Sequence, residues 1–397
     1  MNTKLKTIPI FLVFLCMGFG DVVGPMVSLA KTTFNLSNIT ANLLPASGFI
    51  MFGVLSIPIG VYQDRKGKKN ILLAGLLIAL TGLLIPVFSG MYGYHVNPEA
   101  EGIERFYILL LSILLLGAGA TILQVSGNPI MRDVSPAGKY SSNLSLAQGI
   151  KAIGSSMGFL LPPVLAIWFG LDWTILFPIF AAMILLTFIW TQSTKIVEKK
   201  DPTHETATFS SCFNLLFSDA YVALMVLAIF LYVGAEVSMS AQIPILIQEE
   251  FGIEKVGLIV SWSLFFLPIL IGRFTGAAVL RSLSPAHFLL LTVLISLAGI
   301  AMLLLGNMFI AFAGIVMIGL GFANIFPLIF SITIDQLPSR SNELSGLMIF
   351  AIVGGAFVPV LTGAFADLTN LILGFLVPLG CLIYIGFTAV LNRKRNH

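Results

Sequence analysis

FYILLLSILLLGAGATILQVSGNPIM, residues 106–131, carries no charged side chain and is bounded by Arg105 and Arg132. A helix needs about 20 predominantly apolar residues to cross the hydrocarbon core of a bilayer, and this stretch is long enough. Lipid offers its backbone polar groups no partner, so they must be satisfied within a helix or a closed barrel. Eleven further stretches have the same character: roughly 7–30, 38–62, 69–90, 140–169, 172–192, 219–248, 255–280, 286–306, 308–334, 342–366 and 370–392. Twelve transmembrane helices in an all-α membrane protein are therefore predicted. Pro25, Pro45, Pro129, Pro162, Pro163, Pro268, Pro327 and Pro359 fall within spans, where neighbouring helices can satisfy the freed backbone groups.

Composition points the same way. The 397 residues are 57% hydrophobic and only 10% charged, with a mean hydropathy of +1.00. Soluble domains average about 25% charged residues, and so uncharged a chain could not cover a water-facing surface. A net charge of +3 is too small to point to nucleic acid. Cys16, Cys212 and Cys381 are scattered without a CxxC, and His95, His204, His287 and His397 lack metal-ligand spacing. No disulfide framework and no metal site is expected. Residues 7–30 are too long for a signal-peptide apolar core and read as the first span.

Basic residues set the orientation. With both termini inside, the cytoplasmic segments hold 16 of the 21 Lys and Arg residues and the outer loops hold Lys31, Arg105 and Lys255. Lys151 and Arg273 fall inside spans. The bias predicts cytoplasmic termini in a cell inner (plasma) membrane. The longest polar stretch, 193–218, separates six spans from six. The expected organisation is an N-terminal six-helix bundle over 1–192, a cytoplasmic linker over 193–218 and a C-terminal bundle over 219–397.

The two halves also resemble each other. SNLSLAQGIKAIG (142–154) aligns with NELSGLMIFAIVG (342–354) at an offset of 200, matching Leu144 with Leu344, Ser145 with Ser345 and Gly154 with Gly354. At an offset of 202, Gly117, Gly119 and Asp133 match Gly319, Gly321 and Asp335. Such a six-plus-six repeat predicts two pseudo-symmetric bundles with the substrate site between them, near the bilayer midplane.

Ionisable groups deep in a span cost at least about 2.5–3.5 kcal/mol and default to function. Asp21 lies in span 1 (GFGDVVGP), Glu236 in span 7 (VGAEVSMS) and Lys151 in span 5. Aligning Gly20-Asp21-Val22 with Ala235-Glu236-Val237 makes the two acids repeat-related. The three charges could neutralise one another as a structural knot. Alternatively, one carboxylate exchanges a proton or binds Na+ while another helps hold the substrate. Lys151 supplies one positive charge against two negative ones, so one acid is left wanting a proton or a small cation.

The loop after span 2 reads GVYQDRKGKKN (60–70), and its pattern G-x-x-x-D-R-x-G-(K/R)-(K/R) resembles the signature loop of the major facilitator superfamily. The resemblance implies the major facilitator fold. It also implies a gating role for Asp64, with Arg65 and Gly67 shaping the turn. More narrowly, five motifs are similar to those of the fucose permease (fucose–galactose–glucose–proton symporter) family: Asn128-Pro129, Leu146-Ala147-Gln148, Tyr232-Val233-Gly234-Ala235, Gly272-Arg273-Phe274-Thr275-Gly276 and Pro327-x-Ile329-Phe330-Ser331. That resemblance implies alternating access and sugar uptake coupled to a cation. It places the family's span 1 carboxylate at Asp21, which becomes the expected coupling residue. The sequence departs from the family at three places. Gln124 stands where a second carboxylate is expected, Glu236 replaces a glutamine, and Lys151 replaces an asparagine.

Sugar hydroxyls need neutral donor–acceptor side chains. Gln124, Asn128, Gln148, Gln242 and Asn324 could supply these, and Tyr232 or Trp262 could supply a stacking face. The alternative for each amide is an interhelical hydrogen bond worth about 0.6 kcal/mol, and for each ring ordinary packing. Arg273, Asp133 and Asp335 lie towards cytoplasmic helix ends and read as gate residues. The expected function is import of a fucose- or hexose-like sugar by symport with H+ or Na+. The alternative on the same fold is a proton-coupled exporter of drugs or amphipathic metabolites, with Asp21 and Glu236 binding a cationic substrate. No HExxH, P-loop or Ser/His/Asp set points to an enzyme. No cofactor and no nucleic-acid partner is expected, and the chain should be a monomer in the lipid bilayer.

Overall fold

The computed structural model describes residues 3–94, 103–135, 140–196, 198, 208–280, 282–337 and 340–395. Among them, eleven helices are long and apolar enough to cross a membrane, and one bent pair makes a twelfth. The bent pair, Ile8–Gly20 with Val23–Phe34, is α1. The others are α2 (Asn38–Gln63), α3 (Lys68–Phe88), α4 (Glu104–Met131), α5 (Leu146–Phe169), α6 (Trp173–Ser193), α7 (Ala220–Glu250), α8 (Gly257–Gly276), α9 (Pro285–Leu303), α10 (Met308–Gln336), α11 (Glu343–Leu368) and α12 (Leu371–Arg393). Side chains such as Phe88 and Leu368, each 83% exposed, and Trp168 at 77% make sense only against lipid. The twelve-helix, all-α fold is the one expected from the sequence.

The chain divides into two compact units. One comprises Met1–Asn35 with Ser47–Phe209, the other Leu36–Ala46 with Ser210–His397. The first turns of α2 therefore belong to the C-terminal unit. There the Asp367 carboxylate of α11 accepts from the backbone N–H of Asn38 (3.0 Å) and of Ile39 (2.7 Å) and from Asn38 Nδ2 (2.7 Å). A short helix, Phe209–Ser218, precedes α7.

Glycines set how closely the helices cross. In the N-terminal unit a side-chain carbon on Gly154 would strike the carbonyl of Leu15, and one on Gly18 the carbonyl of Lys151. Helices α1 and α5 thus touch backbone to backbone, the close approach that small residues permit in membranes. In the C-terminal unit Gly354 of α11 meets Phe230 of α7 in the same way. Phe230 follows Leu15 by 215 positions, as Glu236 follows Asp21. A carbon on Gly82 would lie 2.8 Å from the Ser112 carbonyl, and one on Gly299 2.6 Å from that of Gly314. The repeat read from short sequence matches is therefore also a repeat of helix contacts.

The break in α1 has an identifiable cause. Proline has no N–H to give the carbonyl four residues back and its ring crowds that carbonyl. At Pro25 this carbonyl is that of Asp21, which accepts instead from Gly24 at 3.3 Å. A 3-10 turn, Gly18–Gly20, precedes the break, and the two halves meet at 40°. Phe19 in this turn stacks on Phe180 of α6, with ring centroids 4.1 Å apart.

Candidate functional site

Asp21 sits at the break in α1, where the backbone leaves the regular helix. Its Oδ2 lies 3.2 Å from the Lys151 ammonium and accepts from the Ser155 hydroxyl at 2.8 Å. Lys151 and Ser155 are four residues apart and so share one face of α5. The Gly18–Gly154 crossing holds that face against α1. Side-chain exposures of 22% for Lys151 and 35% for Asp21 leave both groups in reach of a solute.

The pair opens on a hollow within the N-terminal unit, walled by Asp21, Lys151, Gln124, Phe49 and Phe52, with Gly20, Gly48 and Gly117 along its sides. A carbon on Gly117 would overlap the Gly48 carbonyl, so α2 and α4 also cross closely. That crossing brings the phenyl rings of α2 beside the amide of α4. The rings of Phe49 and Phe52 stack with centroids 5.8 Å apart. Carboxylate, ammonium and amide supply donors and acceptors of the kind a polyhydroxylated ring uses, but Phe49 and Phe52 are buried and the hollow, at about 10 Å³, has room for about one water, so admitting a sugar requires it to open.

The C-terminal unit has its own acid. Glu236 Oε1 lies 3.5 Å from Arg273 of α8. The sequence reading placed Arg273 at a gate and left one carboxylate without a cation; the structure instead puts Arg273 beside Glu236. Tyr232, one turn earlier, is fully buried. Its hydroxyl donates to the Phe322 carbonyl at 2.8 Å and its ring leans on Phe322 and Phe326. Tyr232 is thus enclosed as a packing residue and presents no free face for stacking. Asn324 is likewise engaged, donating to the Gly272 carbonyl at 2.8 Å. Gln242 is buried with both amide atoms lacking a hydrogen-bond partner among the described residues. Trp262 opens a π-helical turn, Trp262–Phe266, and its indole nitrogen is unpartnered in the same sense. Such turns occur often at functional sites.

A third cluster lies at the turn between α2 and α3. Gly67 adopts φ +88°, a conformation that favours glycine. The Glu198 carboxylate accepts from the N–H groups of Lys68 (2.8 Å) and Lys69 (2.9 Å), and so caps α3. Lys68 pairs with Asp133 at 2.7 Å, and Lys69 donates to the carbonyls of Gln192 and Thr194. The side chains of Asp64 and Arg65 lie outside the described residues. Asp335 is exposed near the end of α10.

The family model of the Major Facilitator Superfamily matches residues 10–359. The chain belongs to this superfamily. A glucose/galactose transporter of Brucella abortus (biovar 1, strain 9-941) is 26% identical over 96% of this chain and 93% of its own length. An L-fucose-proton symporter of Escherichia coli K12 is 22% identical, covering 94% of this chain and 89% of the relative. The crystal structure of a D-xylose-proton symporter superposes with a TM-score of 0.79 at 14% identity, covering 99% of this chain and 98% of that one. The solved symporter shares the fold of this chain.

In this facilitator the structure brings together Asp21, Lys151 and Gln124, and separately Glu236 and Arg273. Asn128 is half-buried with its Oδ1 unpartnered among the described residues. Gln148 is half-buried on α5, three residues before Lys151. Phe49, Phe52, Ser155 and Glu198 were not singled out from the sequence. Phe49 and Phe52 carry a faint signal, since i, i+3 spacing puts them on one helix face. Ser155, four residues after Lys151, carries another.

Proposed function

We propose that the chain imports a hexose-like sugar by proton symport, alternating access between two sides of a cell's inner membrane, with both termini cytoplasmic. The single observation that carries this reading is the cluster of polar side chains on α1, α4 and α5 in the N-terminal unit. It sets an acid, an ammonium and an amide beside two phenyl faces. Relatives named as a glucose/galactose transporter and an L-fucose-proton symporter, similar over nearly the whole chain, support the same substrate class. Asp21, addressed by an ammonium and a hydroxyl, is the proton-exchanging residue in this reading. Gln124 and the rings of Phe49 and Phe52 hold the sugar. Glu236 with Arg273 serves the other half. The orientation rests on the basic residues of the loops.

Uptake of labelled glucose, galactose and fucose into membrane vesicles tests this reading, with an imposed proton gradient, an imposed Na+ gradient or neither. Accumulation should follow the proton gradient. Asp21→Asn should abolish accumulation but leave sugar counterflow, because exchange needs no net proton movement. Accumulation by Asp21→Asn, or accumulation driven by Na+ alone, overturns the assignment.

A further inference from the structure

We propose that Lys151 is the link between sugar and proton: its ammonium is shared between Asp21 and a sugar oxygen, so that bound sugar draws it away and Asp21 takes up a proton in its place. This rests on the sugar–proton reading above and names the device that joins the two ligands.

The geometry leaves the ammonium as the movable part. Helices α1 and α5 meet backbone to backbone at Gly18 and Gly154, so Asp21 cannot part from Lys151 by a small slide of either helix. Ser155 is on a short side chain, its one hydroxyl proton directed at Asp21 Oδ2 (2.8 Å), with the Lys151 carbonyl as the longer alternative acceptor (3.2 Å). The Lys151 ammonium ends a four-carbon stem with freely rotating donors, and it lines the same hollow as Gln124, Phe49 and Phe52. Among the described residues of this unit, the groups facing Asp21 are Lys151 and Ser155 from α5, Gln124 from α4 and the phenyl rings from α2; α6 carries no charged side chain. Once the ammonium turns to a sugar oxygen, none of the described side chains facing Asp21 in this unit is a cation that could replace it. The Asp21 carboxylate then faces its hydroxyl partner alone, and in this proposal a proton takes the place that the ammonium leaves. The proton comes from water on the side where sugar enters. It leaves to water on the other side when the sugar departs and Lys151 returns.

The repeat supports a functional reading of the pair. The crossing glycines recur in both units, but the position equivalent to Lys151 is Ala351, 200 residues on, and Arg273 aligns with Ser56, 217 residues back. What the fold requires is duplicated, and the cations are not.

Binding and protonation that assist each other must do so reciprocally. Isothermal titration of the purified full chain with glucose, galactose and fucose, in buffers of different ionisation enthalpy, counts the protons taken up per sugar. The wild type should take up a proton on binding, and its affinity should fall by about tenfold per pH unit on the alkaline side. Lys151→Met should bind more weakly with proton uptake near zero, because no ammonium is left for the sugar to draw away from Asp21. Lys151→Arg should restore uptake. Wild-type-like uptake in Lys151→Met, or a wild-type affinity independent of pH, overturns the proposal. If Lys151→Met does not fold, the pH dependence of the wild type decides alone. Failure of the underlying reading looks different: none of the sugars binds, or Asp21→Asn takes up the proton as before.

Discussion

Gly154→Ala should damage the protein far beyond the addition of one methyl group. The new carbon would stand closer than 3.0 Å to the Leu15 carbonyl oxygen, and Gly18 of the same helix is also in its way. Ordinary carbon–oxygen contacts lie at about 3.3–3.6 Å, so α1 and α5 must part by about 1 Å. Neither clashing atom is a flexible side-chain end that could swing aside. Overpacking costs about 1–3 kcal/mol, and a backbone-to-backbone clash belongs at the upper end. At about 2–4 °C per kcal/mol for a unit of some 200 residues, melting in detergent should fall by roughly 6–12 °C. The same displacement would draw the short Ser155 side chain away from Asp21, which it meets at 2.8 Å, while the long Lys151 stem can follow, so gradient-driven uptake should fall more steeply than the amount of folded protein. Gly354→Ala should cost the C-terminal unit a comparable amount, since it meets the Phe230 carbonyl in the equivalent place. Gly380→Ala is the control, because nothing lies within 4 Å of a carbon added there. Fluorescence-monitored melting of the three variants, paired with vesicle uptake, makes the comparison. A Gly154→Ala protein that melts with the wild type and transports normally would refute the crossing geometry.

Glu198→Ala removes the acceptor that caps α3 at Lys68 and Lys69. It should cost about 1–2 kcal/mol, and Glu198→Gln, which keeps an oxygen, should cost less; equal melting of all three proteins counts against the cap. Burial pushes the Cys212 thiol up to about 11, with the Glu343 carboxylate adding to the effect. A raised value keeps the thiol protonated through neutral pH, so maleimide labelling followed by mass spectrometry should be slow at pH 7 and rise only towards pH 11, whereas rapid labelling at pH 7 contradicts that burial. Asp367→Ala takes three hydrogen bonds from the start of α2. Amide exchange over residues 38–42 should accelerate on the order of tenfold, and unchanged protection there means the carboxylate is not what holds that turn.

The fold was legible because each span declares itself. A bilayer tests every 20-residue stretch separately for apolar length, so twelve spans could be placed without tertiary information. The duplication was legible through glycines, and the structure explains why. Gly117, Gly119, Gly154 and their partners at 319, 321 and 354 stand where any side chain would strike another helix. Asp21, Glu236 and Lys151 announced themselves as charges in lipid.

Partners across helices were not legible, and Arg273 shows why. Near the end of α8 it reads as a gate residue, yet it lies beside Glu236. Two local effects redirect it. The π-helical turn at Trp262–Phe266 adds a residue to the helix and rotates all that follows by about 100° relative to a regular wheel. Helical side chains also lean towards the N-terminus of their helix, which sends a long guanidinium back along α8 and away from its end. Phe49 and Phe52 were hidden for the opposite reason. In a chain with 32 phenylalanines, an aromatic ring in a span looks the same facing lipid, core or hollow, and only the Gly48–Gly117 crossing decides which. Charge identifies candidate chemistry in a membrane helix from sequence alone, because lipid penalises it. Neutral walls of a site carry no such penalty, and they emerge only when the glycines that set the helix crossings are placed in three dimensions.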